Sequence, residues 1–240
     1  MSDRFMCISE TSIGRAWEAA VLHTWEKGSI VPTEYGERSK DVIGCIEVTE
    51  PLSQPIIHRA VFAWHVKDSY TQEILEGIED HRIGKDWWYT YHQRLFGYPA
   101  GPAGYPQPPF IDQVDYIVKK LSKTPHSRRA QAITWSPVHD PWKDDPPCLQ
   151  RVWCRVVDGR LELHTYWRSR DLWKAWWLNV YAFTKMQKVL ADKLGCEVGR
   201  YVDVSSALHI YERDWEQVER NFVKICETRR ERDRYLWDRE

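Results

Sequence analysis

The stretch "LQRVWCRVVDGRLELHTYW", residues 149–167, carries the clearest structural signal in the chain. Apolar and polar residues alternate on both sides of Asp158-Gly159. A two-residue hairpin turn of the favoured type needs positive φ at both positions, and Asp-Gly supplies it at little steric cost. The spacing therefore predicts an antiparallel hairpin, which is stable only as part of a larger sheet with a covering layer. Just upstream, "DDPPC" (144–148) brings two prolines and then a single thiol, Cys148, to the mouth of the first strand. Proline fixes φ and holds the residue before it extended, so this approach is stiff. Cys148 is either a small buried hydrophobe after a turn or a nucleophile held at the strand mouth.

Working outward, "RDLWKAWWLNVYAFTKMQKVLADKL" reads as a long helix over about 171–194, with Leu172, Ala175, Asn179, Ala182, Phe183, Met186, Val189 and Leu190 along one side and Gly195 as its stop. Asn179 is out of place in that apolar stripe, because a buried amide must find hydrogen-bond partners. Residues 197–214, "EVGRYVDVSSALHIYERD", predict two further strands, and the tail "ETRRERDRYLWDRE" predicts a charged helix or a frayed end. Nearer the N-terminus, 12–27 form an amphipathic helix with Ser12 as a candidate cap, and 41–51 a strand closed by Pro51. Residues 71–97 read as helical before "GYPAGPAGYPQPP" interrupts regular structure. After it come a short amphipathic helix (110–123) and a strand at "RRAQAITW" (128–135). Too few core-like segments follow the Pro/Gly stretch for a second domain. The expectation is one α+β domain over 1–240, with a mixed or antiparallel sheet packed by helices.

Composition narrows the function classes. The chain has 240 residues, 42% hydrophobic and 29% charged, which is ordinary for a folded globular domain. Thirty-four basic against 35 acidic side chains leave a formal charge of −1, so no global attraction to nucleic acid is expected. No apolar run nears the roughly 18 residues of a membrane span, and no basic-then-apolar leader opens the sequence. Six scattered cysteines without a C-x-x-C pair speak against a zinc site or a disulfide framework. The cytoplasm is the expected location, with no metal and no membrane partner. Fourteen tryptophans suggest core and interface packing, with some free to stack on a flat ligand.

Arginines cluster around the thiol in sequence: Arg128 and Arg129 open the strand before it, and Arg168-Ser169 follow the hairpin after it. Guanidinium forks and a hydroxyl suit a phosphate, and nearby positive charge lowers a thiol pKa. The alternative is a set of surface arginines flanking strands.

The ordered series "SRR", "PPC", the Asp-Gly hairpin, "RSRDLWKAWWLN" and "HIY" resembles the thymidylate synthases, in particular the shorter archaeal members. The resemblance implies the family's three-layer fold. It also implies C5 methylation of dUMP with 5,10-methylenetetrahydrofolate, or a modified tetrahydropterin, as cosubstrate. It makes Cys148 the nucleophile that adds to C6 of the pyrimidine, with Tyr91 and Arg168 beside it. The phosphate grip would be Arg38, Arg168 and Ser169, together with Arg128 and Arg129 donated from the other subunit of a homodimer. Asn179 would read the uracil edge, which explains an amide in an apolar stripe. His209 and Tyr211 would hold the sugar 3′-hydroxyl, and Asp171 and Trp88 the pterin, with Trp87 as a second candidate. A carboxylate for water-mediated proton transfer would be Glu73 or Glu76. Taken singly, His209 reads as structural and Asp171 as a helix cap.

The chain departs from the common family pattern at Leu149, Trp167 and Ala175, and it ends "YLWDRE" where an apolar lid over the folate is usual. Without a lid, water rather than hydride could complete the reaction, giving a pyrimidine nucleotide 5-hydroxymethylase acting on dUMP, dCMP or CMP. Asn179 favours uracil over cytosine and hence methylation. A reading from another class, a protein that holds single-stranded nucleic acid on arginines and aromatic rings, conflicts with the near-zero net charge.

Overall fold

The computed structural model describes residues 4–58, 60–61, 64–101, 109–226 and 228. The chain opens with β1 (Phe5–Glu10), α1 (Ile13–Lys27), β2 (Ser29–Pro32) and β3 (Arg38–Val48). Two helices, α2 (Lys67–Glu76) and α3 (Tyr91–Phe96), precede the two-residue strands β4 (Tyr98–Pro99) and β5 (Phe110–Ile111). Then come α4 (Gln113–Lys123), β6 (Gln131–Ile133), β7 (Leu149–Val157), β8 (Arg160–Trp167), β9 (Arg170–Asp171), α5 (Trp176–Leu194) and β10 (Glu197–Tyr211).

The main sheet runs β1-β3-β10-β8-β7-β6, with β2 on β3 and β9 on β10. It is mixed: β1 is parallel to β3 and β10 to β8, while β3/β10, β8/β7 and β7/β6 are antiparallel. The expected α+β class holds. The Asp158-Gly159 hairpin also holds, with φ of 49° and 74° at the two turn residues.

Alternation sorts the sheet into two faces. Val42, Ile46 and Val48 of β3, with Tyr201 and Leu208 of β10, are buried on the face that receives α1 and α5. Helix α2 packs on the far side of α5, making a third layer. That sandwiching explains why α5 buries residues almost all round its first half, from Trp176 through Thr184.

Several expected boundaries move, each for a local reason. The helix over 71–97 is broken: α2 ends at Gly77, which takes a left-handed φ of 66°, and α3 starts only after Thr90, whose hydroxyl accepts from Gln93 N at 3.0 Å. The helix expected from 171 begins at Trp176, because Arg170 and Asp171 are held extended against Leu208 and His209. Ser12 makes no capping bond; the Gly14 N–H is met instead by the Pro55 carbonyl at 3.0 Å. The two strands expected over 197–214 are one strand with a bulge. Ser205 pairs with Gly44 and Leu208 with Val42, so β10 carries one extra residue at Ser206–Ala207. Most of the Pro/Gly stretch, 102–108, lies outside the described residues, as does the charged tail 227–240 apart from Thr228.

Arg170 and Asp203 form an ion pair inside this sandwich, both side chains about 1% exposed. Breaking a buried pair strands a charge in low dielectric. Asp203→Ala is expected to lower the unfolding free energy by about 3–5 kcal/mol in a denaturant titration. Joint replacement by Arg170→Met and Asp203→Leu should recover most of that loss.

Candidate active site

A cavity of about 550 Å³ opens where the Cys148 loop, the Arg168–Asp171 segment, the first turn of α5 and the end of β10 meet. Cys148, Tyr91, Arg168, Ser169, Asp171, Asn179, His209 and Tyr211 all line it. A second cavity of about 510 Å³ adjoins it, sharing Tyr70, Tyr89, Tyr91 and Asp145, and is walled by Glu73, Trp87, Trp88 and Lys143. Residues spread over some 140 positions of sequence are therefore brought to one concavity with an aromatic annex.

The loop carrying Cys148 is tied down through its backbone. Arg168 donates from Nε to the Pro147 carbonyl (3.1 Å) and from Nη2 to the Pro146 carbonyl (2.6 Å). The Arg168 N–H meets the Cys148 carbonyl at 2.9 Å, and Leu149 N donates to the Tyr91 hydroxyl at 3.3 Å. Two prolines leave the loop few backbone donors of its own, so a guanidinium fork fixing their carbonyls sets where the sulfur sits. The expectation that arginines lower the thiol pKa is only half met. Burial pushes the Cys148 thiol up; Arg168 and Arg170 pull against that, and Asp145 adds to the rise. Burial wins because a thiolate loses its hydration outright.

The bulge in β10 decides the opposite wall. Before it, Tyr201 and Asp203 pair with Val48 and Ile46 on the helix-covered face. After it the parity reverses, and His209 and Tyr211 pair with Asp41 and Ser39, which line the cavity with them. His209 Nδ1 lies 3.2 Å from the Ala207 carbonyl, while its buried Nε2 has no protein partner among the described residues. Burial lowers the His209 pKa, opposed by the nearby Asp171 and Asp41 carboxylates. The Asp171 carboxyl is pushed up, first by burial; the Lys174 N–H, which donates to it at 3.0 Å, works the other way. Asp171 therefore does not cap α5, which starts at Trp176 without a side-chain cap; it accepts within the turn before the helix and lines the cavity.

Asn179 lies on the side of α5 that lines this cavity, and its amide Nδ2 donates to the hydroxyl of Tyr70 on α2. In the annex, Lys143 sits 3.5 Å from the Trp88 ring centroid. Glu73 lines the annex and its carboxyl is pushed up to about 7, mainly by burial and then by Glu79 and Asp80. Glu76 is exposed. Three expected residues lie elsewhere. Arg38 is exposed and paired to Glu212 through its backbone and guanidinium, so within one chain it does not reach the cavity wall. Arg128 and Arg129 are exposed in the loop before β6, their carbonyls accepting from Trp153 Nε1 and the Tyr116 hydroxyl.

Tyr70, Tyr89, Asp41 and Arg170 were not singled out by sequence pattern. Only Tyr70 left a trace there: it stands one helical turn from Glu73. Among the described residues no group of three or more His, Cys, Asp or Glu could hold a metal ion, and no helix is long and apolar enough to cross a membrane.

Comparison with known proteins adds a family pattern. A family model described as thymidylate synthase matches residues 53–231. A protein of Methanosarcina barkeri named "Putative thymidylate synthase" is 30% identical over 228 residues, covering 93% of this chain and 99% of its own. One of the same name from Methanocaldococcus jannaschii is 30% identical over 239 residues, covering 97% of this chain and 100% of its own. A third, from Methanosarcina mazei, is 31% identical over 220 residues, covering 90% and 94%.

The raised Glu73 carboxyl has a measurable consequence for stability. Well below pH 4.5 it is protonated whether the chain is folded or unfolded. As pH rises the unfolded chain loses that proton first, while the folded protein holds it until about 7. Its contribution to stability is thus full at low pH and lost through that window. In Glu73→Gln the thermal midpoint, followed from about pH 5 to about pH 8, should lose that component of the decline.

Proposed function

The chain belongs to the thymidylate synthase family, and on that premise we propose that it methylates dUMP at C5, using methylenetetrahydrofolate or a modified tetrahydropterin. The observation that carries the reading is the convergence on one cavity of a thiol (Cys148), a guanidinium with a hydroxyl (Arg168, Ser169), an amide (Asn179) and an imidazole-phenol pair (His209, Tyr211). Each matches one part of a pyrimidine nucleotide.

The Cys148 sulfur adds to C6, which turns C5 into a carbon nucleophile that the pyrimidine ring otherwise lacks. Arg168 and Arg170 offset the cost of forming the thiolate in a dry site. Asn179 presents an acceptor and a donor to N3–H and O4. His209, whose Nε2 has no protein partner among the described residues, and Tyr211 line the same cavity, and in this reading they take the sugar 3′-hydroxyl. Ser169 and Arg168 take the phosphate, and Arg38 joins them by exchanging Glu212 for it. The cosubstrate supplies the one-carbon unit and a hydride. Trp87 and Trp88 offer flat walls for it in the annex, and Asp171 a carboxyl at the edge of the nucleotide cavity. Of the two carboxylates considered for proton transfer, Glu73 is favoured, since it lines the adjoining annex with its carboxyl pushed up to about 7, whereas Glu76 is exposed.

The functional unit we propose is a homodimer formed through the open face of the sheet, with Arg128 and Arg129 completing the partner's phosphate grip. Support comes from Phe5, Ile43 and Ile133, which stand 59%, 44% and 40% exposed on that face. Large apolar side chains in such numbers on a sheet face suit a second copy of the same face.

Cys148→Ala should lower turnover by more than about 10⁴-fold while leaving dUMP binding measurable by calorimetry. Product mass from dUMP, dCMP and CMP incubations should show a methyl gain on dUMP alone; a hydroxymethyl product would replace the methylation reading with the hydrating one. A mixture of Cys148→Ala with the double variant Arg128→Ala/Arg129→Ala should regain about a quarter of native activity, because each mixed dimer holds one intact site. No recovery would dismiss donation across the interface.

A further inference from the structure

We propose that Tyr70 is a positioning residue that holds the Asn179 amide in the orientation that reads uracil, and so sets the pyrimidine preference of the cavity. The inference rests on the nucleotide reading above and goes beyond it, naming a residue outside the set that the resemblance supplies. Tyr70 projects from α2 and Asn179 from α5, two helices packed on each other. The Asn179 Nδ2 donates to the Tyr70 hydroxyl, and both residues line the cavity that holds Cys148. Neither sits at a chain end or in a loop, so the contact is set by the packing of two helices rather than by a mobile segment.

A side-chain amide has two N–H donors and one carbonyl acceptor. With one N–H committed to Tyr70, the second N–H and Oδ1 remain, and neither has a protein partner among the described residues. They present a donor and an acceptor in a fixed order. Uracil offers N3–H beside the O4 acceptor, and cytosine offers the reverse, an N3 acceptor beside the N4 amino donors. A freely turning amide satisfies either base. Asn179 held through Nδ2 suits uracil; turning over for cytosine breaks the Nδ2–Tyr70 bond and puts the carbonyl against the phenol oxygen, so that the hydroxyl must turn to donate. The phenol stays neutral there, since burial, Tyr91 and Glu73 all oppose its ionisation. Its hydroxyl therefore acts on Asn179 as a hydrogen-bond partner rather than as a charge.

The test is equilibrium binding of dUMP and of dCMP to the intact protein, compared with Tyr70→Phe, which removes one oxygen, and with Tyr70→Met as a second variant lacking the hydroxyl. Thermal melts verify that both fold. The expected result is a fall in the dUMP-over-dCMP affinity ratio of roughly five- to tenfold, the scale of one hydrogen bond in a buried site, with most of the change in dUMP affinity. A general packing defect would weaken both nucleotides alike. An unchanged ratio in the folded variants overturns the proposal while leaving the nucleotide reading intact. Failure of the native protein to bind either nucleotide overturns the nucleotide reading, and this inference with it.

Discussion

The structure depends most on the ion pair between Arg170 and Asp203 beneath the cavity floor. A buried guanidinium is tolerated only when its charge and most of its donors are met. Here Arg170 donates to Asp203 and to the Trp176 carbonyl (3.2 Å), and its guanidinium lies 3.7 Å from the centroid of the Trp167 ring. Asp203 in turn accepts from Trp176 Nε1 (3.1 Å), Thr165 (2.9 Å) and Ser205 (3.0 Å). One carboxylate thus joins β8, β9, β10 and the start of α5. Because Arg170 points inward, the residues around it in "RSRD" are held where Arg168, Ser169 and Asp171 border the cavity.

The same network accounts for one departure from the family's common pattern. Trp167 is buried, lies under the Arg170 guanidinium and meets the edge of Tyr91 at 5.8 Å. It is both floor and cavity wall. Leu149, another departure, is fully buried core, and its backbone N–H reaches the site through the Tyr91 hydroxyl. Lys174, near the start of α5, pairs with Asp214 and so joins that turn to the segment after β10. Trp167 and Leu149 surround the thiol loop with apolar packing, consistent with burial dominating the thiol pKa.

The site is held by backbone as much as by side chains. The thiol loop is fixed through proline carbonyls, the Asp171 turn through the Lys174 N–H, and the wall carrying His209 and Tyr211 through a one-residue bulge. Each device places a side chain by fixing the chain that carries it, which costs less entropy than holding a long side chain by its tip. Sites supported in this way are pre-organised before any ligand arrives.

The sequence alone determined the hairpin, since Asp-Gly between two alternating runs has few other conformations; the end of α5 at Gly195; and the α+β class. It also marked Cys148, Arg168, Ser169, Asn179, His209 and Tyr211, because five short pieces in order carry information that no single piece does. Tertiary structure decided the rest. The bulge at Ser206–Ala207 leaves no composition signal, yet it determines which face His209 occupies. The Asn179–Tyr70 contact joins residues 109 positions apart. The balance between burial and guanidinium charge at Cys148 depends on depth, which a linear pattern does not encode. Local propensity acts over a few residues, whereas a cavity is made by chain segments that meet only after the sheet has formed.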